Sequence, residues 1–275
     1  MKLNYNDLKL KTLSVLSPVR IKLTIIFFLM SIVTLGINSL MELFLPDNTV
    51  FMLIKLVIAI VLAIIMSAFF VYVYKLFNGS TLNSDDISII KSNLVNMLLL
   101  IILVQLARTL VLMLIVSAMA LLPFLSAASL FISSILEVIT LSVQIIGIII
   151  IFETRSSGVE AFKKSLFRIK SNIANVVYCA LPFMFASAIM NICFNLFCYN
   201  ILGQVTVSGI VGIITTIFDS RGVLLATLAT LLYTVTIAVA CYFQTYVLVF
   251  IVAINEHYND NTIDINYNEI EVEIS

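Results

Sequence analysis

Six long apolar segments occupy most of this chain of 275 residues. They cover residues 21–45, 50–76, 94–122, 125–152, 173–199 and 223–253. A helix rises about 1.5 Å per residue, so about 20 residues cross the roughly 30 Å hydrocarbon core of a bilayer, and each segment is long enough. With 62% hydrophobic and 11% charged residues, the composition is far from that of a water-soluble domain. The pattern predicts an all-α polytopic membrane protein whose six spans form three helical hairpins.

The basic residues predict how the chain is inserted. Of the 15 lysines and arginines, 12 fall on one side of the predicted membrane and only Arg221 on the other; Lys55 and Arg108 fall inside spans. Cytoplasmic loops of membrane proteins carry an excess of Lys and Arg. The asymmetry therefore predicts that both termini are cytoplasmic, which agrees with an even number of spans.

This division predicts three regions, which are a cytoplasmic N-terminal segment (1–20), a six-helix transmembrane domain (21–254) and an acidic cytoplasmic tail (255–275). Residues 201–218 are apolar but rich in Gly and β-branched residues. They are predicted to form an outer interfacial or re-entrant helix, with a seventh full span as the alternative. The tail is predicted to be disordered, and the alternative is a strand or hairpin that orders against a cytoplasmic partner.

A polar cluster lies at membrane depth in the third and fourth segments. Its members are Gln105, Arg108, Glu137, Thr140 and Gln144. Counted from a turn centre near Phe124, Arg108 and Glu137 differ in depth by about 4.5 Å, and the two glutamines are nearly level. We therefore predict an Arg108–Glu137 ion pair beside a Gln105–Gln144 hydrogen bond. The cluster either stabilises the packing between helices or forms a substrate or proton site. The structural role is favoured, because each charged residue of the cluster has a predicted partner.

A basic helix is predicted before the fifth segment, because Ser157 and Glu160 form a capping-box pattern. Apolar residues follow at helical spacing, at Val159, Phe162, Leu166, Ile169 and Ile173. The other faces carry basic residues, which are Lys163, Lys164, Arg168 and Lys170. The pattern predicts an amphipathic helix at the inner membrane surface, with anionic lipid as a partner at about 1 kcal/mol per basic residue. The alternative is that these residues only follow the positive-inside rule.

A short repeat marks the starts of the odd-numbered segments. Residues 90–96 match residues 169–175 at five of seven positions, and Arg20-Ile21-Lys22 echoes residues 168–170. The repeat predicts three hairpins derived from one unit, with chance similarity as the alternative. Pro182 is the candidate for a kink in the fifth segment.

The same basic helix carries the pattern G-x-x-A-x-x-x-S-x-x-x-x-K at Gly158, Ala161, Ser165 and Lys170. This pattern resembles the membrane domain associated with bacterial glycerophosphoryl diester phosphodiesterases and related six-span bacterial proteins, in which such a helix precedes the fifth span. Gly79 and residues 84–86, before the third segment, fit the same layout. The resemblance implies this fold in a bacterial cytoplasmic membrane. It does not imply the activity, because the chain has no room for the soluble enzyme domain and its one histidine, His257, lies in the tail.

Catalytic and metal-binding patterns are missing from the sequence. The cysteines show no metal-ligand spacing and are predicted to be small buried thiols; they are Cys179, Cys193, Cys198 and Cys241. Nucleophile elbows, P-loops and H-E-x-x-H are absent. The zero net charge gives no indication of nucleic-acid binding. We therefore predict no catalytic residue, metal or cofactor.

The predicted function is non-enzymatic. The protein would be an accessory or scaffold component that binds a cytoplasmic or membrane partner through its tail or through residues 157–170. The alternative is a small transporter or the permease subunit of an ABC-type exporter, in which residues 157–170 would contact the ATPase. An enzyme that acts on lipid ranks third, because it would need several polar groups converging at one interface.

Overall fold

The computed structural model describes residues 4–44, 49–121, 129–197 and 223–261, and these residues form helices and connections without a strand. The helices are α1 Tyr5–Leu16, α2 Arg20–Phe44, α3 Thr49–Phe77, α4 Ser84–Ser92, α5 Leu94–Leu121, α6 Ser129–Thr154, α7 Gly158–Phe197 and α8 Val223–Asn261. The all-α prediction is therefore confirmed for this part of the chain. The predicted helix at 201–218 and residues 262–275 of the predicted tail lie outside the described residues. The first part of that tail, residues 255–261, was predicted to be disordered but continues α8, and Asn255 is fully buried.

The six predicted apolar segments coincide largely with α2, α3, α5, α6, the later part of α7, and α8. Among the described residues, four stretches are long and apolar enough to cross a membrane: Ile54–Phe77, Leu94–Ala118, Ile132–Thr154 and Thr234–Tyr258. Tyr5–Leu16 and Arg20–Thr34 meet at 84° and together form a fifth candidate. The described fold therefore fits a helical membrane protein with four or five candidate spans.

Three long helices, α3, α6 and α8, contact one another at the centre of the bundle. Around them, α2 packs on α8, α5 packs on α6 and α7, and α7 packs on α6 and α8. The central helices are buried on every side at residues 145–152 and 247–255, as helices that are apolar all round require. We call the end of the bundle that holds these stretches, α1, α4 and residues 158–171 of α7 the polar end; residues 158–171 are called α7N.

The N-terminal segment, predicted only as a cytoplasmic stretch, forms the helix α1. Asn4 caps this helix, because its side-chain oxygen accepts a hydrogen bond from the backbone N–H of Asn6 at 3.1 Å. Leu8, Thr12 and Leu16 recur every four residues and are buried, and α1 contacts α8. Pro18, which has no backbone N–H, lies in the turn between α1 and α2. The N-terminal segment is therefore part of the packed bundle.

The predicted repeat is a structural repeat in its second and third copies. Asn93 ends α4 with φ −102° and ψ 10°, and Asn172 interrupts α7 with φ −125° and ψ 18°. Both are buried, and each side-chain amide donates to the carbonyl four residues earlier, at 2.9 Å for Ile89 and 3.2 Å for Arg168. Each copy is therefore a short helix, a break at a buried asparagine and then a long apolar helix.

The first predicted copy needs correction. Ile21 is 76% exposed, whereas Ile90 and Ile169, its predicted equivalents, are buried. The break before α2 also comes earlier, at residues 17–19. The break in α7 lies at Asn172, while Pro182 lies inside the helix. The similarity of Arg20-Ile21-Lys22 is therefore one of sequence alone.

Candidate functional site

The predicted intramembrane cluster lies on two adjoining helices, α5 and α6, and only part of it is exposed. Gln105 and Glu137 are exposed, Arg108 and Gln144 are half-buried, and Thr140 is buried. The hydroxyl of Thr140 donates to the carbonyl of Leu136 on its own helix at 2.7 Å. The structure therefore brings the five residues to one pair of helices without enclosing them.

Neither predicted pair is formed among the described side chains. Arg108 and Glu137 make no ion pair within 4.0 Å, and Gln105 and Gln144 share no hydrogen bond. Because Gly147 of α6 lies against Leu100 of α5, Arg108 and Glu137 lie at similar depths along the two helices. Depth does not determine the direction in which a side chain points. The predicted structural role is therefore not supported by this geometry.

A polar network that sequence reasoning missed joins the ends of the three central helices. The Tyr74 hydroxyl at the end of α3 donates to the Glu153 carboxylate at the end of α6. The Asn78 amide, just after α3, donates to the Glu256 carboxylate of α8 at 3.1 Å. The one available signal was that polar residues follow directly after apolar stretches, which is common at any span end. The network ties α3 to both neighbours at the polar end.

A second contact fixes α4 to the end of α3. The Lys75 ammonium lies 2.9 Å from the Asp86 carboxylate, whose side chain is only 5% exposed. Asp86 also accepts from the backbone N–H of Asn83 at 3.0 Å, and the Asn83 side chain accepts from the N–H of Asp86 at 2.8 Å. This is a capping box. Burial alone would raise the pKa of Asp86, but the Lys75 and Asn83 hydrogen bonds outweigh it and hold that pKa below its ordinary value.

A third network joins α7N to α8. The Arg168 guanidinium donates to the side-chain oxygen of Asn255, which is fully buried, and lies 5.8 Å from the centre of the Tyr258 ring. The Asn172 amide donates to the Tyr258 hydroxyl at 3.2 Å. Arg168 therefore serves packing between helices, although it was predicted as part of an exposed basic surface.

The other basic residues of α7N point away from the bundle. Lys163 and Lys170 are exposed, and Lys164 is half-buried with an ion pair to Glu160 at 2.6 Å. Such a surface pair contributes only about 0.3–0.5 kcal/mol. The predicted basic set is thus divided into one inward arginine, one paired lysine and two exposed lysines.

Small residues explain how α7N packs against the bundle. Ser157 caps the helix as predicted, because its hydroxyl accepts from the N–H of Glu160 at 3.3 Å. A Cβ on Gly158 would lie 2.5 Å from the backbone oxygen of Asn96, so only glycine permits this approach to α5. Ala161 and Ser165 continue the same buried face. The G-x-x-A-x-x-x-S pattern is therefore the contact surface between α7N and its neighbours.

The opposite side of α7N is exposed and mixes apolar and basic side chains. Leu166 and Phe167 are 47% and 55% exposed, and Val159 is also exposed. These residues and Lys163 and Lys170 form a continuous surface at helical spacing, which we call the α7N face. Of the predicted apolar residues, Ile169 is buried and Phe162 half-buried, while Val159, Leu166 and Ile173 are exposed. Gly158, Ala161 and Ser165 lie on the packed side of the helix together with Ile169.

The described residues offer little that resembles an enclosed ligand site. They contain no group of three or more His, Cys, Asp or Glu side chains that could hold a metal. A shallow surface cleft lies beside α3, α4 and α5, and it encloses no room for a ligand; it is lined by Ile64, Ser67, Ile90, Leu94, Met97 and Leu98. Cys179 and Cys241 are free and buried, as predicted for small apolar thiols.

Comparison of this chain with known proteins finds no similar protein. No protein-family model, curated protein or solved structure matches this chain. The resemblance to the phosphodiesterase-associated membrane domains therefore stays a prediction.

Proposed function

We propose that the protein is a non-enzymatic accessory or scaffold component of a bacterial cytoplasmic membrane. In this proposal α2, α3, α5, α6, the later part of α7, and α8 are the six spans, and the polar end faces the cytoplasm. The 12-to-1 distribution of basic residues supports this orientation. The packing of α1 on α8 and of α7N on its neighbours, with the ion pair that ties α4 to the end of α3, supports a rigid cytoplasmic surface.

The observation that carries the proposal is the α7N face. Gly158, Ala161 and Ser165 hold the helix against the bundle, so its opposite side is presented in a fixed position. That side exposes Leu166 and Phe167 although both are large and apolar. Exposed apolar groups rimmed by charge are typical of interaction sites. A fixed helix with this surface is suited to binding a partner.

The chemistry of the α7N face fits two kinds of contact at the inner membrane surface. Leu166 and Phe167 can enter the boundary between headgroups and acyl chains, while Lys163 and Lys170 reach anionic headgroups. The same side chains can also hold an apolar protein surface with an acidic rim. We propose that a membrane or cytoplasmic protein is the main partner and that anionic lipid supports its binding.

The test compares substitutions that leave the packed face intact. Leu166→Gln with Phe167→Gln should keep the thermal stability of the purified protein and lose the proteins that co-purify with it. Lys163→Gln with Lys170→Gln should reduce the stabilisation by anionic lipid relative to zwitterionic lipid. Leu10→Gln is the matched control, because Leu10 is exposed on α1 at the same end. If the Leu166 and Phe167 substitutions keep every co-purifying protein, the α7N face is not the partner surface.

The alternative function is a permease subunit, and one feature favours it. The short helices α4 and α7N each lie between two consecutive long helices at the same end of the bundle. Helices of this kind transmit movement to an ATPase in ABC-type exporters, as the sequence argument anticipated for residues 157–170. An ATPase that co-purifies with the wild type and is lost from the Phe167 variant would favour the permease. A non-ATPase partner would favour the scaffold.

A further inference from the structure

Ionisable side chains are presented on the outside of α5 and α6 at membrane depth. Arg108 lies near the middle of α5, 14 residues after Leu94 and 13 before Leu121. Its side chain is half-buried, and Glu137 on the adjoining helix α6 is exposed. Only 11% of the apolar stretch of α5 is buried, so this helix contributes little to the core. The polar groups therefore lie on the surface that would face lipid in a single copy of the protein.

Such an arrangement is costly for a monomer in a bilayer. A charged residue near the centre of a membrane helix costs about 2.5–3.5 kcal/mol even on the mildest insertion scales. Intramembrane charges usually face a bundle interior or pair with one another. Among the described side chains, Arg108 and Glu137 have no ion pair within 4.0 Å. The surface therefore calls for a partner that brings opposite charge to the same depth.

We propose that this surface, made of Gln105, Arg108 and Glu137, binds the same surface of a second copy of the chain. It carries one cation and one anion on adjoining helices. In a dimer with a two-fold axis, Arg108 of each copy therefore faces Glu137 of the other copy. Glutamine side chains add hydrogen bonds between membrane helices. The exposed neighbours Leu106 and Leu110 supply apolar packing around the polar groups. The interface is an Arg108–Glu137 pair formed twice between the copies.

The depths of the residues agree with this symmetry. Both copies insert with the same orientation, so the two-fold axis runs along the membrane normal and each residue keeps its depth. Measured along the helices from the polar end, Arg108 is 14 residues from Leu94 and Glu137 is 17 residues from Thr154. The difference of three residues corresponds to about 4.5 Å, which the long arginine side chain spans. Arg108 of one copy can therefore reach Glu137 of the other while both copies stay at the same depth in the membrane.

The decisive experiment exchanges the charges between two differently tagged copies. The fraction of dimers is measured by single-molecule photobleaching in anionic liposomes. Arg108→Glu alone and Glu137→Arg alone should each lower the dimer affinity by at least about tenfold, because each places like charges together twice. A mixture of the two variants should form heterodimers, since the introduced glutamate of one copy then faces the introduced arginine of the other, and the native Arg108 and Glu137 still face each other. Lys91→Glu, a charge reversal on an exposed residue outside the apolar stretch, is the control and should dimerise normally.

A second measurement uses native charges, in case the reversed variants do not fold. In a background without the four native cysteines, a cysteine at Leu106 should form a disulfide between copies in membranes. A cysteine at Ile25, exposed on α2, should not. The proposal is overturned if the wild type is monomeric and Leu106→Cys does not crosslink. It is also overturned if stability is restored when Arg108→Glu and Glu137→Arg are combined in one chain but not when the two single variants are mixed. The pair would then form within one copy. Either result leaves the proposal for the α7N face standing, since that surface lies at the polar end.

Discussion

The close approach of α7N to α5 predicts that Gly158 cannot be replaced even by alanine. The added Cβ would lie 2.5 Å from the Asn96 oxygen and 3.0 Å from the Leu100 nitrogen, and both atoms belong to the backbone of α5. Neither can move without displacing the helix. Carbon and oxygen normally approach no closer than about 3.2 Å, so α7N and α5 must separate by several tenths of an ångström, which disturbs the packing.

The loss of stability expected for Gly158→Ala can be compared with that for two other glycines. Overpacking a well-packed interface costs about 1–3 kcal/mol. At Gly147 the added Cβ would meet Leu100 Cδ2 at 2.6 Å, and the end of that side chain can rotate away, so the cost should be smaller. At Gly36 nothing lies within 4 Å, so alanine should stabilise α2 by up to about 1 kcal/mol through helix propensity. The expected order of stability is Gly36→Ala, wild type, Gly147→Ala and Gly158→Ala.

The assay is thermal aggregation of the detergent-solubilised protein, followed by size-exclusion chromatography. A change of 1 kcal/mol corresponds to roughly 2–4 °C in a chain somewhat smaller than this one, so Gly158→Ala should lower the apparent Tm by about 2–10 °C. The close packing of α7N on α5 is refuted if Gly158→Ala has the same apparent Tm as the wild type, or if Gly36→Ala has a lower apparent Tm than Gly158→Ala.

The fold and the proposed orientation also lead to three other expected outcomes. Reporter fusions at Gly79, Gly158 and Ser275 should report the cytoplasm and fusions near Asn48, Ser126 and Gly209 the outside; an outside signal at Ser275 would contradict six spans. The pKa of Asp86 is lowered in the fold, so its ionised form contributes stability above about pH 4 that is lost as the pH falls through the folded value. Asp86→Asn should therefore be less stable at pH 7 and lose part of the acid dependence seen by thermal aggregation, whereas an unchanged pH profile would argue against the Lys75 contact. Gly79 has φ +68° with no atom within 4 Å of an added Cβ, so Gly79→Ala should cost about 1–2 kcal/mol of backbone strain and Gly79→Asn less; equal costs would refute a purely conformational role.

The sequence predicted what depends on chain length and local pattern. Apolar length determines which segments can cross a bilayer, so the long helices were found to within a few residues, except that α8 continues eight residues beyond the predicted end at 253. Local hydrogen bonding predicted the cap at Ser157. The repeated Ile-Lys-Ser-Asn pattern predicted corresponding structure at Asn93 and Asn172, although not the break itself.

The sequence did not predict which side of each helix faces the bundle. Hydropathy is of little use for this in a membrane protein, because lipid and core are both apolar. The predicted apolar stripe of α7N, for example, contains both the buried Ile169 and the exposed Leu166. Arg108 and Glu137 were matched by depth alone, and their directions depend on how α5 and α6 pack. The Tyr74–Glu153 contact joins residues 79 apart in the chain, and no local pattern indicates it.

The central claim is that the α7N face holds a protein partner, and photo-crosslinking in living cells tests it most directly. A photoreactive amino acid at Phe167 is compared with one at Tyr178, which is 63% exposed on the same helix beyond the break at Asn172. We predict a discrete protein adduct from Phe167 and only lipid adducts from Tyr178. Lipid adducts alone from both positions would contradict the claim.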